Sequence, residues 1–242
     1  MTNLLIDIGN TTCKVAFESE GQLGDIYRSP GLDVTKFILS VIGEKRPDVV
    51  VLSNVREDNV ELEKELRKRC GKLVVVNPFM KMPVDISYDF DATEMGSDRL
   101  AGAIGALMLF PGKDIIKFDF GTALTIDYIT KEGLYLGGNI SLGMRSRFRA
   151  LYEFTKRLPF ITPDPEFPPV GVTTTGAMTA GVVFGLIFEV EGYINDKPNS
   201  TVIFTGGDAI YFANRLKKTI FVVPNLVLLG LAQIADYYAK EI

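Results

Sequence analysis

Two stretches of this 242-residue chain put a carboxylate, a glycine and hydroxyls where an apolar strand ends. The first, LLIDIGNTTCKV, presents Asp7, Gly9, Asn10 and Thr11, with Lys14 on the strand that resumes. The second, IIKFDFGTALTI, presents Asp119, Gly121 and Thr122 in the same order. Glycine lets backbone approach an anion, N–H groups and threonine hydroxyls donate to phosphate oxygens, and a carboxylate holds a metal ion or its waters. A third stretch, VIFTGGDAIYF, sets Gly206 and Gly207 between a strand and a helix, where bare backbone can pass close to a nucleoside. One Asp-x-Gly turn is an ordinary hairpin closure. Two in like context, about half a chain apart, predict two related lobes whose strand-ending carboxylates face one cleft, a nucleotide clamp.

Other chemistries are narrowed by what is missing. The chain has no histidine. That excludes Ser-His-Asp and Cys-His nucleophile systems and makes zinc a poor expectation, so a general base has to be a carboxylate, a lysine or a tyrosine. Cys13 and Cys70 have neither metal-ligand spacing nor a disulfide framework and read as buried reduced thiols. With 47% hydrophobic and 23% charged residues the chain can bury a core, and a net charge of −4 argues against nucleic acid as its main partner. No signal peptide precedes Asp7, and apolar runs such as Leu100 to Phe110 fall short of the roughly 20 residues a bilayer needs. A cytoplasmic protein with no membrane partner is expected.

The elements that must position these groups alternate in an α/β pattern. Strands are predicted over 4–8, 12–17, 49–53, 72–76, 114–119, 124–129, 201–205 and 219–223. Helices are predicted over 98–109, 142–157, 174–193 and 226–240, with a surface helix carrying Leu62 and Leu66. Arg145, Arg147 and Arg149 alternate with Met144, Phe148 and Leu151, as on a solvated or dimer-facing helix. Pro159, Pro163, Pro165, Pro168 and Pro169 read as a stiff tether into the Thr174 helix.

The three-part order resembles the actin, sugar kinase and Hsp70 ATPase superfamily, and within it type III pantothenate kinase. The resemblance rests on DIGNT at 7–11, GSDRLAGAIGA at 96–106, DFGTALTID at 119–127, GGNISLGMRSRFRAL at 137–151, TKRLP at 155–159, TTGAMTAG at 174–181, TGG at 205–207 and PNLVLLGL at 224–231. It implies two duplicated actin-like (ribonuclease H-like) lobes with mixed sheets and an ATP cleft between them, residues 1–112 and 113–242, the C-terminal helix packing back on the first lobe. It implies ATP-dependent phosphorylation of pantothenate to 4′-phosphopantothenate, the first step of coenzyme A biosynthesis.

By the same resemblance Asp98 is the proton acceptor and the catalytic residue. Asp7, Gly9, Asn10, Thr11, Lys14, Thr122, Gly206 and Gly207 bind ATP, with Asp7 toward Mg2+. Tyr88, Gly96, Ser97, Asp98, Arg99 and Thr174 bind pantothenate, and Asp119 holds a monovalent cation, K+ or NH4+. A homodimer with its site at the interface is implied, Thr174 serving the other subunit. The chain departs from the family pattern in three places. SYDFDATEMGSDR lacks a proline and is one residue longer, Leu142-Gly143 replaces Pro-Gly, and Leu229 stands where an acid is expected.

Residue chemistry agrees with Asp98 as acceptor and Arg99 as a partner for a substrate carboxylate, since phosphoryl transfer needs positioning and charge neutralisation above all. A plain reading of the pair is a helix cap followed by a surface cation. Two alternatives keep both Asp-x-Gly turns: another small-molecule kinase of the superfamily, and a non-enzymatic regulator or actin-like assembly protein that uses nucleotide as a switch.

Overall fold

The computed structural model describes residues 1–30, 33–162 and 166–240. In chain order the elements are β1 Asn3–Ile8, β2 Cys13–Ser19, β3 Gln22–Ser29, α1 Val34–Ile42, β4 Val49–Asn54, α2 Val60–Arg69, β5 Lys72–Val75, β6 Ser87–Tyr88, α3 Ser97–Leu109, β7 Ile115–Phe120, β8 Ala123–Ile129, β9 Leu134–Leu142, α4 Met144–Phe154, α5 Thr174–Asp196, β10 Thr201–Gly206, α6 Ala209–Ala213, β11 Phe221–Val222 and α7 Leu226–Ala239. They form two compact units. One comprises Met1–Gly112, Ile129–Gly137 and Asn225–Ile242; the other comprises Lys113–Tyr128 and Gly138–Pro224.

The first unit is built on a five-stranded sheet in the order β3-β2-β1-β4-β5. The β1–β2–β3 ladder is antiparallel, and β1, β4 and β5 run parallel. All six residues of β1 are buried because both faces of the central strand are covered. Leu4, Ile6, Ile8, Val50 and Leu52 pack with Ile38 and Ile42 of α1 and with Leu62 and Leu66 of α2. Each such fully buried side chain contributes about 1.5–3 kcal/mol of transfer free energy.

The alternate residues of β1 and β4 point to the other face, where α3 and α7 pack on the strands and on each other. A Cβ at Gly230 would lie 1.8 Å from the Ala101 carbonyl oxygen, so only glycine permits that helix crossing. The C-terminal helix therefore sets where α3 lies.

In the second unit the strand order is β11-β10-β7-β8-β9. Ile116, Phe118, Phe120, Val202 and Phe204 meet Met178, Val183, Leu186 and Val190 of α5. The helix α5 has the length and apolarity to cross a membrane, which the sequence reading did not register, and half of that apolar stretch is buried in this core. On the opposite face of β7 and β8, Lys117 Nζ lies 2.7 Å from Asp127 Oδ2, with the two side chains 1% and 0% exposed.

Element positions agree with the sequence to within a few residues, with instructive omissions. The edge strand β3 is largely exposed and lacks strict alternation, α1 is short and rich in β-branched residues, and β9 carries Gly137 and Gly138 in its middle. None of the three has a strong local signal. The predicted strand at 219–223 contracts to Phe221–Val222. Of the proline tether, Pro163 and Pro165 lie outside the described residues.

Candidate functional site

In the first unit the turn between β1 and β2 is closed by Gly9 N donating to Thr12 O at 3.0 Å, leaving Asn10 and Thr11 exposed at its tip. Asp7, 5% exposed, faces Lys14 across the ladder, and Lys14 Nζ stands 3.7 Å from Asp7 Oδ2. Arg56, which no sequence motif singles out, donates Nε to Gly9 O at 2.8 Å. The turn thus carries one buried acid and two cations. Burial foremost, and then the Asp7 charge, push the Cys13 thiol up to about 12, with Arg56 opposing.

Gly96 occupies the N-cap of α3 and makes no side-chain cap bond. Asp98 is the second residue of the helix, so the cap reading of this residue is corrected: the cap position belongs to a glycine, which has no side chain to accept a first-turn N–H. Asp98 Oδ1 accepts the Arg99 backbone N–H at 2.7 Å, and both side chains remain partly exposed. Ser97 is turned inward onto the end of β4. Its Oγ lies 3.0 Å from Ser53 Oγ, accepts from Asn54 N at 3.0 Å and donates to Asn54 O at 3.2 Å.

Upstream, Tyr88 sits on β6, which pairs with Leu134 and Tyr135 of β9. Its ring meets Phe90 edge-on at 6.0 Å and Tyr135 at 6.4 Å. The Tyr88 hydroxyl is buried with no hydrogen-bond partner among the described residues, and burial raises its pKa. Between Tyr88 and Gly96 the proline-free segment folds as a 3-10 turn at Ala92–Glu94, where Asp91 Oδ1 accepts from Thr93 N at 3.1 Å.

In the second unit Gly121 N donates to Ala123 O at 3.0 Å to close the β7–β8 turn, with Thr122 exposed at its tip. The turn is braced from α4: Gly143 N donates to Thr122 O at 3.0 Å, and Ser146 Oγ donates to the same oxygen at 2.6 Å. Asp119 pairs in register with Thr205, and Gly206 follows with φ of +91°. Gly207 is exposed beside it. Burial raises the Asp208 carboxyl pKa, with the Arg145 charge opposing. Arg147 bonds Glu189, and Arg149 Nε lies 2.6 Å from Glu153 Oε1. Arg147 also donates to Leu142 O and Ser141 Oγ, and Arg145 is exposed.

Thr174 opens α5, exposed, after Thr173 has capped the helix by accepting from Gly176 N at 3.1 Å. With Leu142, Leu151, Phe154 and Met178 it lines an open apolar groove of about 870 Å³. Among the described residues no cluster of three or more His, Cys, Asp or Glu side chains could hold a metal. A cation at Asp119 would draw on one carboxylate plus backbone, water or phosphate oxygens. The donor set suits a hard cation.

The model of the type III pantothenate kinase family matches residues 3–196. A type III pantothenate kinase from Porphyromonas gingivalis W83 is 38% identical, over 97% of this chain and 98% of that protein. One from Cytophaga hutchinsonii is 36% identical, over 97% and 99%. Among solved structures, a conserved Campylobacter jejuni protein described as a candidate Baf family transcriptional activator superposes with a TM-score of 0.66 at 22% identity, covering 98% of this chain and 99% of that one. The ADPNP-bound activator of the 2-hydroxyisocaproyl-CoA dehydratase from Clostridium difficile gives 0.60 at 16%, over 100% and 96%. An archaeal actin homologue, Ta0583, gives 0.53 at 11%, over 98% and 100%. At such identities these structures speak for the fold alone, and the fold is actin-like.

Proposed function

This chain belongs to the type III pantothenate kinase family, and we propose that it transfers the γ-phosphoryl group of ATP to the primary hydroxyl of pantothenate. The product is 4′-phosphopantothenate, and the reaction opens coenzyme A biosynthesis. The observation that carries this reading is the 38% identity to a type III pantothenate kinase across 97% of the chain.

Phosphoryl transfer passes through a loose transition state, so the protein's task is to align the acceptor hydroxyl and neutralise charge. Asp98, partly exposed in the first turn of α3, orients the pantothenate hydroxyl and accepts its proton late. Arg99 pairs with the substrate carboxylate, where a guanidinium gives a charge-assisted bond. The unsatisfied Tyr88 hydroxyl is the kind of buried polar group a substrate oxygen or amide completes. Gly96 and Ser97 supply the backbone of the same segment.

We assign the ATP phosphates to Gly9, Asn10, Thr11 and Lys14 in the first unit and to Thr122 in the second, with Gly206 and Gly207 as close-approach backbone. Asp7 is assigned to the Mg2+ that accompanies ATP. Asp119 is assigned a monovalent cation, K+ or NH4+, which when bound offsets the charge that a triphosphate brings beside a carboxylate.

The apolar groove along α4 and α5 supports a homodimer through these helices, Thr174 serving the partner's site. The net charge of −4 fits a small-molecule enzyme with no nucleic-acid partner, and a cytoplasmic location suits a step that consumes ATP. The test is ATP consumption with pantothenate present, absent, or replaced by sugars or acetate. Turnover only with pantothenate is expected. Equal turnover with a sugar would favour another kinase of the superfamily, and pantothenate-independent hydrolysis would favour a nucleotide switch.

A further inference from the structure

The hydroxyl of Ser97 is engaged by three protein groups. A serine hydroxyl offers one donor and two acceptor lone pairs. Here it accepts from Asn54 N, lies in donating reach of Asn54 O, and shares a 3.0 Å bond with the Ser53 hydroxyl in which either oxygen can donate. Ser97 is 7% exposed and Ser53 0%. Ser53 lies in register with Asp7 on the neighbouring parallel strand, and Asp98 follows Ser97 directly. The hydroxyl pair thus joins the helix turn that carries Asp98 to the strand beside the Asp7 turn.

The N-cap of α3 is a glycine without a cap bond, and Asp98 Oδ1 is bound to the backbone of its own turn. The helix is held further along by the close approach of Gly230 to Ala101. Of these two contacts, the serine one lies beside Asp98.

We propose that Ser53 and Ser97, through their hydroxyls and the Asn54 peptide, are positioning residues that set the Asp98 carboxylate for phosphoryl transfer, and that neither side chain touches substrate. The inference deepens the kinase reading and rests on it. Displacing a reacting group by about 1 Å can cost about 10²-fold in rate, so a lost tie is read in kcat.

The experiment uses the full-length chain in steady-state assays with ATP and pantothenate, and compares Ser53→Ala, Ser97→Ala, the double variant and Ser97→Thr. Each alanine variant is expected to lower kcat about 10- to 100-fold with the KM values for both substrates within about twofold. The double variant is expected to be no worse than the poorer single one, because the two hydroxyls act as one unit. Ser97→Thr, which keeps the hydroxyl, should recover most of the rate.

A rise in pantothenate KM at unchanged kcat in Ser97→Ala would make Ser97 a substrate ligand and overturn the inference. Additive losses, or lowered thermal stability with normal kcat, would overturn it too. If the wild-type chain failed to phosphorylate pantothenate, the kinase reading would fall. The tie would still be tested by amide exchange at Asn54 and Leu100, which must accelerate when either hydroxyl is removed.

Discussion

The carboxylate of Asp119 lies against the bare backbone of Gly206: a Cβ at Gly206 would fall 2.5 Å from Asp119 Oδ1 and 2.6 Å from Phe120 N. With φ of +91° the position is also strained for any L side chain. Gly206→Ala is predicted to cost about 1–3 kcal/mol by denaturant unfolding and to weaken the potassium dependence of turnover by displacing Asp119. Gly207→Ala, where a Cβ meets nothing within 4 Å, should change stability by no more than about 0.5 kcal/mol. Equal stability of the two variants would remove the close-approach argument.

Asp98 and Arg99 are adjacent in sequence but are assigned different work, and steady-state kinetics separate them. Asp98→Asn is predicted to cut kcat about 10²- to 10⁴-fold, the worth of a positioned general base, with ATP binding nearly unchanged. Arg99→Ala should raise the pantothenate KM more than it lowers kcat. A near-normal kcat in Asp98→Asn would move the proton acceptor elsewhere.

The buried pair Lys117–Asp127 predicts an asymmetric response. Removing one partner, as in Lys117→Met, strands a charge in the core and is expected to cost about 3–5 kcal/mol. The double replacement Lys117→Met with Asp127→Leu should cost much less, since a packed apolar pair avoids desolvation altogether. Additive losses in a double-mutant cycle would show that the two charges do not interact.

Asp236 on α7 gives a pH dependence with a definite sign. Asn3 Nδ2 bridges Glu18 Oε2 at 2.7 Å and Asp236 Oδ1 at 3.5 Å, while Gly21 N also donates to Glu18 at 2.6 Å. Burial first, then the Glu18 charge and a hydrogen bond to Glu18, raise the Asp236 pKa, with Lys240 opposing. A carboxyl whose folded pKa is raised contributes stability that is full below its unfolded value near 3.9, and that contribution is lost as pH rises through the folded value. Asp236→Asn should therefore melt higher than the parent at pH 7, and the gap should close toward pH 4. An unchanged gap across that range would contradict the assignment.

Much of the local structure is written in local sequence. The apolar run of β1 ending in Asp7 and the matching run of β7 ending in Asp119 announce their own hairpins, and the 13 residues of α3 follow from an apolar stretch after Gly96. What sequence could not reveal depends on distant residues. Ser53 and Ser97 are 44 positions apart; the Gly-Ser-Asp-Arg segment marks Ser97, but nothing in it points to Ser53. Lys117 lies inside the predicted strand 114–119, and its partner Asp127 stands on the next strand. Arg56 carries no sequence mark because its acceptor, Gly9 O, is a backbone atom of another strand end.

As a pantothenate kinase, this chain makes a phosphate monoester of pantothenate. Incubation of the purified protein with ATP, Mg2+, potassium and pantothenate, followed by phosphorus NMR and mass analysis of the acceptor, tests it directly. The account predicts one new monoester at the primary hydroxyl, formed in step with ADP and absent in Asp98→Asn over the same interval. ADP release with unmodified pantothenate, or a phosphate transferred only to another acceptor, would contradict it.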